Sequence, residues 1–397
     1  MTKAPIILIV SISGMALGAP GDVERDADAL ARDAESRTSL LAGDVLQPAE
    51  SSIVFGGIFQ FRYVANVRDN EGAEESFTHG FSVARTQLWG DAQLNETWSF
   101  HFQAEFGADG GVFALQDAWA DWELDDSWTL RSGQFKTPFS RERLHSDHRQ
   151  LAVDRSVENS AFNLNRTQGI QAIYDSESWR AWFCFNTGAS SINNDFNGAS
   201  NADFAFTGRG EYRFAGDWDQ LKDFSGWMGQ EAAGSVGAAV HYQSGGSTGV
   251  GSVGSTVDTD IIAVTADVAY EGAGWSIFGA LNWQNTDAAA ATDSTDDFGA
   301  LVQGGVFVSS NTELFGRYDA VLPDSDRVND DVFNTITFGV NHYFIPESHA
   351  SKLTVDLQWF LGAPADNDLV NANTSVGLLN SSNDSQFALR CQYQAAF

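Results

Sequence analysis

Between residues 98 and 106 the chain reads WSFHFQAEF. Trp98, Phe100, Phe102, Ala104 and Phe106 alternate there with Ser99, His101, Gln103 and Glu105. Successive side chains of a strand point to opposite faces, so this is a strand with an apolar side and a polar side. A soluble sandwich shows the same alternation. What narrows the choice is how often the pattern recurs and what separates the recurrences.

It recurs in sixteen segments, at about 52–66, 78–94, 98–106, 112–124, 127–135, 166–175, 178–188, 202–215, 235–244, 258–271, 274–284, 297–309, 312–320, 331–345, 351–361 and 386–397. Very short turns follow the second, fourth, sixth, tenth and twelfth, at Asn95-Glu96, Asp125-Asp126, Ser176-Glu177, Glu271-Gly272 and Ser310-Asn311. Longer connections follow the first, fifth, seventh, ninth, eleventh, thirteenth and fifteenth. Two connections depart from this rule: a short one after the third strand and a long one, GDWDQLKDFSGWMGQ at 216–230, after the eighth. That long segment is aromatic and polar without a strand pattern, and reads as an ordered turn or a short helix. An even strand number, short turns at one end and long loops at the other are the marks of an outer-membrane barrel, with periplasmic turns and extracellular loops. Closure removes the sheet edges that lipid could not satisfy. Aromatics on the exposed face of nearly every strand have no place in a soluble sandwich. The expected fold is therefore all-β, a 16-stranded antiparallel transmembrane β-barrel.

Composition removes other classes. Asp and Glu number 53 against 22 Lys and Arg, a formal charge of -31, which disfavours a nucleic-acid partner. No run of 18 apolar residues offers a membrane helix. The start of the chain has Lys3, an apolar run from Ile6 to Val10, and small residues near Gly18 and Ala19. Residues 1–19 read as a secretory signal. Residues 20–51 read as a periplasmic extension, either a short helix carrying Val23, Ala27, Leu30, Ala34 and Leu41 on one side or a disordered stretch. The barrel domain occupies 52–397, and the expected location is the outer membrane of a diderm bacterium. The last strand runs to the final residue, with Phe387, Leu389, Cys391, Tyr393, Ala395 and Phe397 on one face. Cys184 falls on a polar face and Cys391 on an apolar one, so a disulfide is not expected.

Nothing in the chain promises bond chemistry. There is no Gly-x-Ser-x-Gly elbow and no His-Glu-x-x-His pair. The expectation is no enzyme, no cofactor and no metal. The acidic run DSTDD at 293–297 reads as solvated charge rather than a cation site.

The blocks FSVARTQLWGDAQLNETWSFHFQAEFG, LQDAWADWEL, LRSGQFKTPFSRE and DRSVENSAFNLNRTQGI, in that order, resemble the phosphate-selective porins. Gly133-Gln134-Phe135-Lys136-Thr137-Pro138-Phe139 is the most specific piece. The resemblance implies a sixteen-stranded barrel, usually a homotrimer, with the loop after the fifth strand folded into the pore. It also implies a lumen rich in Arg and Lys. Here the chain departs from the family: lysine occurs only at Lys3, Lys136, Lys222 and Lys352.

The segment 136–165 lacks period two and is too long for an ordinary hairpin loop. It is the candidate constriction, carrying Lys136, Arg141, Arg143, Arg149 and Arg155 beside His145 and His148. Glu142, Asp147, Asp154 and Glu158 are mixed among them. By parity Arg62, Arg85, Arg131 and Arg166 face the lumen, as do Glu105, Asp117 and Asp121. Two readings stay open. The basic groups form a local path that attracts small anions, or they are paired charges that hold the loop to the wall. The function expected is an outer-membrane porin for passive diffusion of small hydrophilic solutes, with anions such as phosphate as candidates. The alternative is a plugged structural or adhesive barrel. The partners expected are outer-membrane lipid and the permeating solutes or ions.

Overall fold

Each of the sixteen alternating segments is a strand that pairs antiparallel with its chain neighbours. The strands are β1 (Ser52–Val67), β2 (Phe77–Gln93), β3 (Trp98–Phe106), β4 (Phe113–Glu123), β5 (Trp128–Lys136), β6 (Arg166–Asp175), β7 (Trp179–Asn186), β8 (Phe204–Ala215), β9 (Ala233–Ser244), β10 (Thr259–Gly272), β11 (Trp275–Ala288), β12 (Thr295–Ser309), β13 (Thr312–Leu322), β14 (Phe333–Tyr343), β15 (Ser351–Phe360) and β16 (Gln386–Ala396). This is a computed structural model, which describes residues 52–69, 76–107, 112–247, 249, 257–289 and 293–397. The predicted signal at 1–19 and extension at 20–51 lie outside the described residues.

β16 closes the ring onto β1, with Phe59 opposite Ala395 and Val67 opposite Phe387. Phe397 finishes the seam by exchanging both backbone hydrogen bonds with Gly57, each 3.1 Å. Its ring lies over Gly57, where an added Cβ would meet ring carbons at 2.8 Å. With every strand paired on both sides, the sheet has no edge to leave unsatisfied in lipid.

The outer face is apolar. Near the short turns at 94–97, 124–127, 176–178 and 273–274, hereafter the turn end, it carries a row of aromatic pairs. These are Trp98 with Trp122 at 5.6 Å, Trp128 with Tyr174 at 5.1 Å, Trp179 with Tyr212 at 4.7 Å and Tyr270 with Trp275 at 5.2 Å. Amphipathic rings in a band suit the boundary between lipid and water.

The inner face departs from a uniformly polar wall. On β11 to β15 it carries Phe278, Leu301, Phe307, Phe315, Phe333 and Phe360, all buried. Two connections cover them. The segment 216–232, between β8 and β9, forms one 3-10 turn (Gln220–Lys222) and sends Trp218, Leu221, Phe224 and Trp227 inward. It is fastened by Ser225 Oγ, 2.9 Å from Tyr343 Oη, and by Asp223, 3.2 Å from His349 Nε2. From the opposite, loop end, the connection 361–385 lays Leu369, Val370, Val376 and Leu378 against Phe333 and Phe360. Burying these faces follows from the hydrophobic effect.

Two β-bulges re-aim side chains on the early strands. β2 carries Ala84 unpaired, since Gln60 faces Arg85 and Phe61 faces Val83. β4 carries Gln116 unpaired, because Gln103 faces Asp117 and Ala104 faces Leu115. β5 has its own irregularity: Gly133 holds φ +138°, and a Cβ there would lie 2.2 Å from the Ala118 carbonyl oxygen. That conformation is essentially reserved for glycine. Gly133→Ala is expected to cost about 1–3 kcal/mol or more, read from the urea midpoint of the detergent-folded barrel. An unchanged midpoint would contradict this account of the position.

Candidate functional site

β5 stops at Lys136, and the next strand to return to the wall begins at Arg166. Between them the chain is folded by its own caps. Helix α1 (Arg141–Leu144) starts at Ser140, whose Oγ accepts from the Arg143 N–H. A 3-10 turn follows at Asp147–Arg149. Helix α2 (Val157–Phe162) starts at Ser156, whose Oγ accepts from the Asn159 N–H at 2.9 Å. Ser and Asn or Asp favour such positions because the side chain satisfies an orphan helix donor. Glu142 joins the two helices by accepting from Ser156 N at 3.0 Å and Ser156 Oγ at 2.6 Å.

Inner-face side chains from much of the circumference bind this segment through its backbone. Arg209 donates to Phe139 O at 2.6 Å, Lys352 to Gln150 O at 2.7 Å and Asn341 to Leu151 O at 2.9 Å. Arg62 donates to Val153 O at 3.2 Å and Arg317 to Asp154 O at 2.9 Å. Asp356 accepts from the Val153 N–H at 3.0 Å. The segment therefore bonds to β1, β8, β13, β14 and β15, and its backbone polar groups are met inside the ring.

The cations named from the sequence divide by what they touch. Arg141 is buried and donates to Ser235 Oγ at 3.0 Å and Leu221 O at 2.9 Å, so it ties α1 to β9 and to the 216–232 segment. Arg155 is buried too, donating to His145 O at 2.7 Å and pairing closely with Asp147. Lys136 Nζ reaches only two carbonyls, Leu144 O at 3.2 Å and His145 O at 3.3 Å. Arg143 bonds to Asn165 Oδ1, and Arg149 Nε faces His148 Nε2 at 3.4 Å. Lys136, Arg143 and Arg149 have no carboxylate oxygen within 4.0 Å among the described residues.

Several carboxylates of the wall and of the segment contrast with them. Asp117 takes Arg166 at 2.9 Å, Asp121 takes Arg131 at 2.8 Å, and Asp154 takes Arg62 at 3.0 Å and Arg85 at 3.1 Å. Asp267 takes Arg209 and Asp356 takes Arg390, both at 2.7 Å. Glu105 is an exception: it accepts from Gln87 Nε2 at 3.2 Å and pairs with no cation among the described residues. In the loop, burial pushes the carboxyls of Asp147 and Asp154 up. The guanidiniums of Arg155 and Arg85 outweigh it for Asp147, and those of Arg85 and Arg62 for Asp154. Both stay below the ordinary carboxylate range.

Inward tryptophans escaped the sequence reading. Trp119 shares the face of Asp117 and Asp121; its ring stacks on His101 at 4.0 Å and lies under the Arg131 guanidinium at 4.2 Å. Parity alone contained that signal. Arg317, Lys352 and Arg390, which anchor the segment or its partners, were equally readable by parity. Around the segment lie three cavities of about 200, 220 and 290 Å³. Arg143 lines the first, Lys136 the second, and Arg149 both the second and the third.

A closed sixteen-stranded antiparallel barrel with a lipid-suited exterior and a polar segment across its interior is the architecture of a multi-pass outer-membrane barrel, and the family its sequence matches makes it one of the porin class. Its work is transport rather than bond chemistry. Residues 59–393 match the family model described as phosphate-selective porin O and P, and the chain belongs to that family. Solved structures share the fold at low identity. An anion-selective porin from Comamonas acidovorans is 16% identical, with 88% of this chain and 100% of that one aligned at a TM-score of 0.58. OmpT of Vibrio cholerae is 12% identical over 89% and 100% at 0.57. The outer membrane channel DcaP of Acinetobacter baumannii is 11% identical over 88% and 99% at 0.57. No curated protein compared with the chain matches its sequence.

Proposed function

We propose that the protein is a water-filled porin for passive diffusion of small hydrophilic solutes, and that its constriction favours small anions, phosphate among them. One observation carries this reading. Among the described residues the cations Lys136, Arg143 and Arg149 have no carboxylate oxygen within 4.0 Å, whereas Asp117, Asp121, Asp154, Asp267 and Asp356 each meet an arginine. Fixed charge that is not neutralised sets the local potential of a pore, whatever the formal charge of the whole chain. Residues 136–165 form the constriction, the turn end faces the periplasm and the loop end faces outward. Residues 1–19 act as the export signal; a mature protein whose mass retained them would remove that part. Assembly is trimeric, as in the OmpT structure from Vibrio cholerae described in a trimer form. Sedimentation in density-matched detergent at the mass of one barrel would contradict this.

A second reading has its own observation. The 216–232 and 361–385 segments fill part of the interior, and three cavities beside the constriction are small, about 200, 220 and 290 Å³. A barrel sealed by these segments would be a scaffold. Single-channel recording in planar bilayers separates the two: discrete conductance steps are expected, and silent, correctly folded protein would favour the scaffold.

A further inference from the structure

The largest of the three cavities differs from the others in what surrounds it. It is about 290 Å³ and lies between α1, the 3-10 turn after it, β7 and the 216–232 segment. Trp182, Trp218, Leu144 and Leu221 supply an apolar wall. Trp182 is half-buried on the inner face of β7, at the same parity as buried Cys184. The Trp218 indole is fixed by its Nε1–H to Ser176 O at 3.1 Å and by the Arg180 guanidinium 4.4 Å above the ring. Arg149, which has no carboxylate oxygen within 4.0 Å among the described residues, lines both this cavity and its 220 Å³ neighbour. The one carboxylate in the lining, Glu211, is already held by Arg209 at 2.7 Å.

The lining cations Arg141, Arg180 and Lys222 each have a carboxylate within 4.0 Å and Arg149 has none among the described residues, so the cavity, with flat apolar walls, an available guanidinium and no free carboxylate, selects for a particular solute. We infer that it is a binding site for small organic anions with a flat apolar body, such as aromatic carboxylates. The carboxylate would pair with Arg149, and the ring would lie against Trp182 and Trp218. Guanidinium and carboxylate match as a charge-assisted pair, and the ring removes apolar area from water on both sides. A neutral sugar would leave Arg149 unpaired, and a small inorganic anion would leave the tryptophan walls uncovered. The site thus deepens the anion reading above and rests on it for delivery, though its chemistry can be measured without current.

The test is equilibrium binding of radiolabelled benzoate and acetate to the detergent-folded full-length barrel, with glucose as the neutral control. Benzoate is expected to bind about tenfold more tightly than acetate, with no measurable glucose binding. Trp182→Ala should bring benzoate down to the acetate level, and Arg149→Gln should weaken both acids. Equal affinity for benzoate and acetate, or benzoate binding unchanged in both variants, would overturn the site. Should Trp182→Ala fail to fold, Trp182→Leu keeps the apolar volume and must still lose most of the aromatic preference. Failure of the anion-selective channel is read elsewhere, from the reversal potential. A channel that is anion-selective but treats the two acids alike loses only this site. A cation-selective channel that binds benzoate through Trp182 keeps it.

Discussion

Trp227→Ala is expected to cost about 3–5 kcal/mol, measured as the urea dependence of unfolding from detergent micelles. The side chain is 5% exposed although it belongs to a connection between strands. It packs edge-on to Tyr343 at 4.7 Å, beside Phe307 at 5.1 Å and across from His349 at 5.3 Å. Truncation leaves a hole lined by three rings inside a wall that cannot collapse, because β12 and β14 are held by the ring of backbone hydrogen bonds. It also loosens the contact through which Ser225 reaches Tyr343 at 2.9 Å. A change under about 1 kcal/mol would mean that the 216–232 segment is not packed inside the barrel.

Asp154→Asn is expected to be comparably costly, about 3–5 kcal/mol, and to change the charge of the passage as well. The carboxylate meets Arg62 at 3.0 Å, where that guanidinium is almost wholly buried, and Arg85 at 3.1 Å. It also accepts from the Arg155 N–H at 2.9 Å. Its loss leaves two guanidiniums in a tight interior without their common anion. Because its pKa is depressed in the folded chain, the pair's stabilisation is complete above the unfolded carboxyl value of about 4 and falls away only as pH drops through the lower folded value. The penalty should therefore be undiminished between about pH 5 and about pH 8. Arg62 is left without a carboxylate and Arg85 keeps only Asp147 at 3.4 Å, so anion preference should rise while stability falls. A variant as stable as the parent, or one shifted toward cations, would contradict the anchoring assigned to Asp154.

How much of this was legible in the sequence differs between wall and interior. Period two in WSFHFQAEF and its recurrences located every strand, because a strand between lipid and water must alternate over its whole length. It could not show Ala84 and Gln116 as unpaired residues, since a bulge adds one residue without changing composition. Inward Phe278, Phe307, Phe315, Phe333 and Phe360 stood at polar-face positions and were the available sign that something apolar covers them. The aromatic segment at 216–230 was the partner, but linking it to those positions needs the third dimension. In the constriction, residue type identified the cations and nothing more. Arg141 and Arg143 lie two residues apart in a four-residue helix; the side chain of one is bound to Ser235 and Leu221, and among the described residues the guanidinium of the other bonds to Asn165 alone. Which guanidinium is spent on structure is decided by partners from β8, β9 and the 216–232 segment, none of them near in sequence.

The reversal potential across a planar bilayer under a potassium chloride gradient tests the central claim most directly. The parent channel is expected to be anion-selective, and the triple variant Lys136→Gln, Arg143→Gln, Arg149→Gln to shift toward cations, while Arg141→Gln loses stability with little change in selectivity. A cation-selective parent, or a triple variant with the parent's reversal potential, would contradict a passage governed by those three charges, which meet no carboxylate among the described residues.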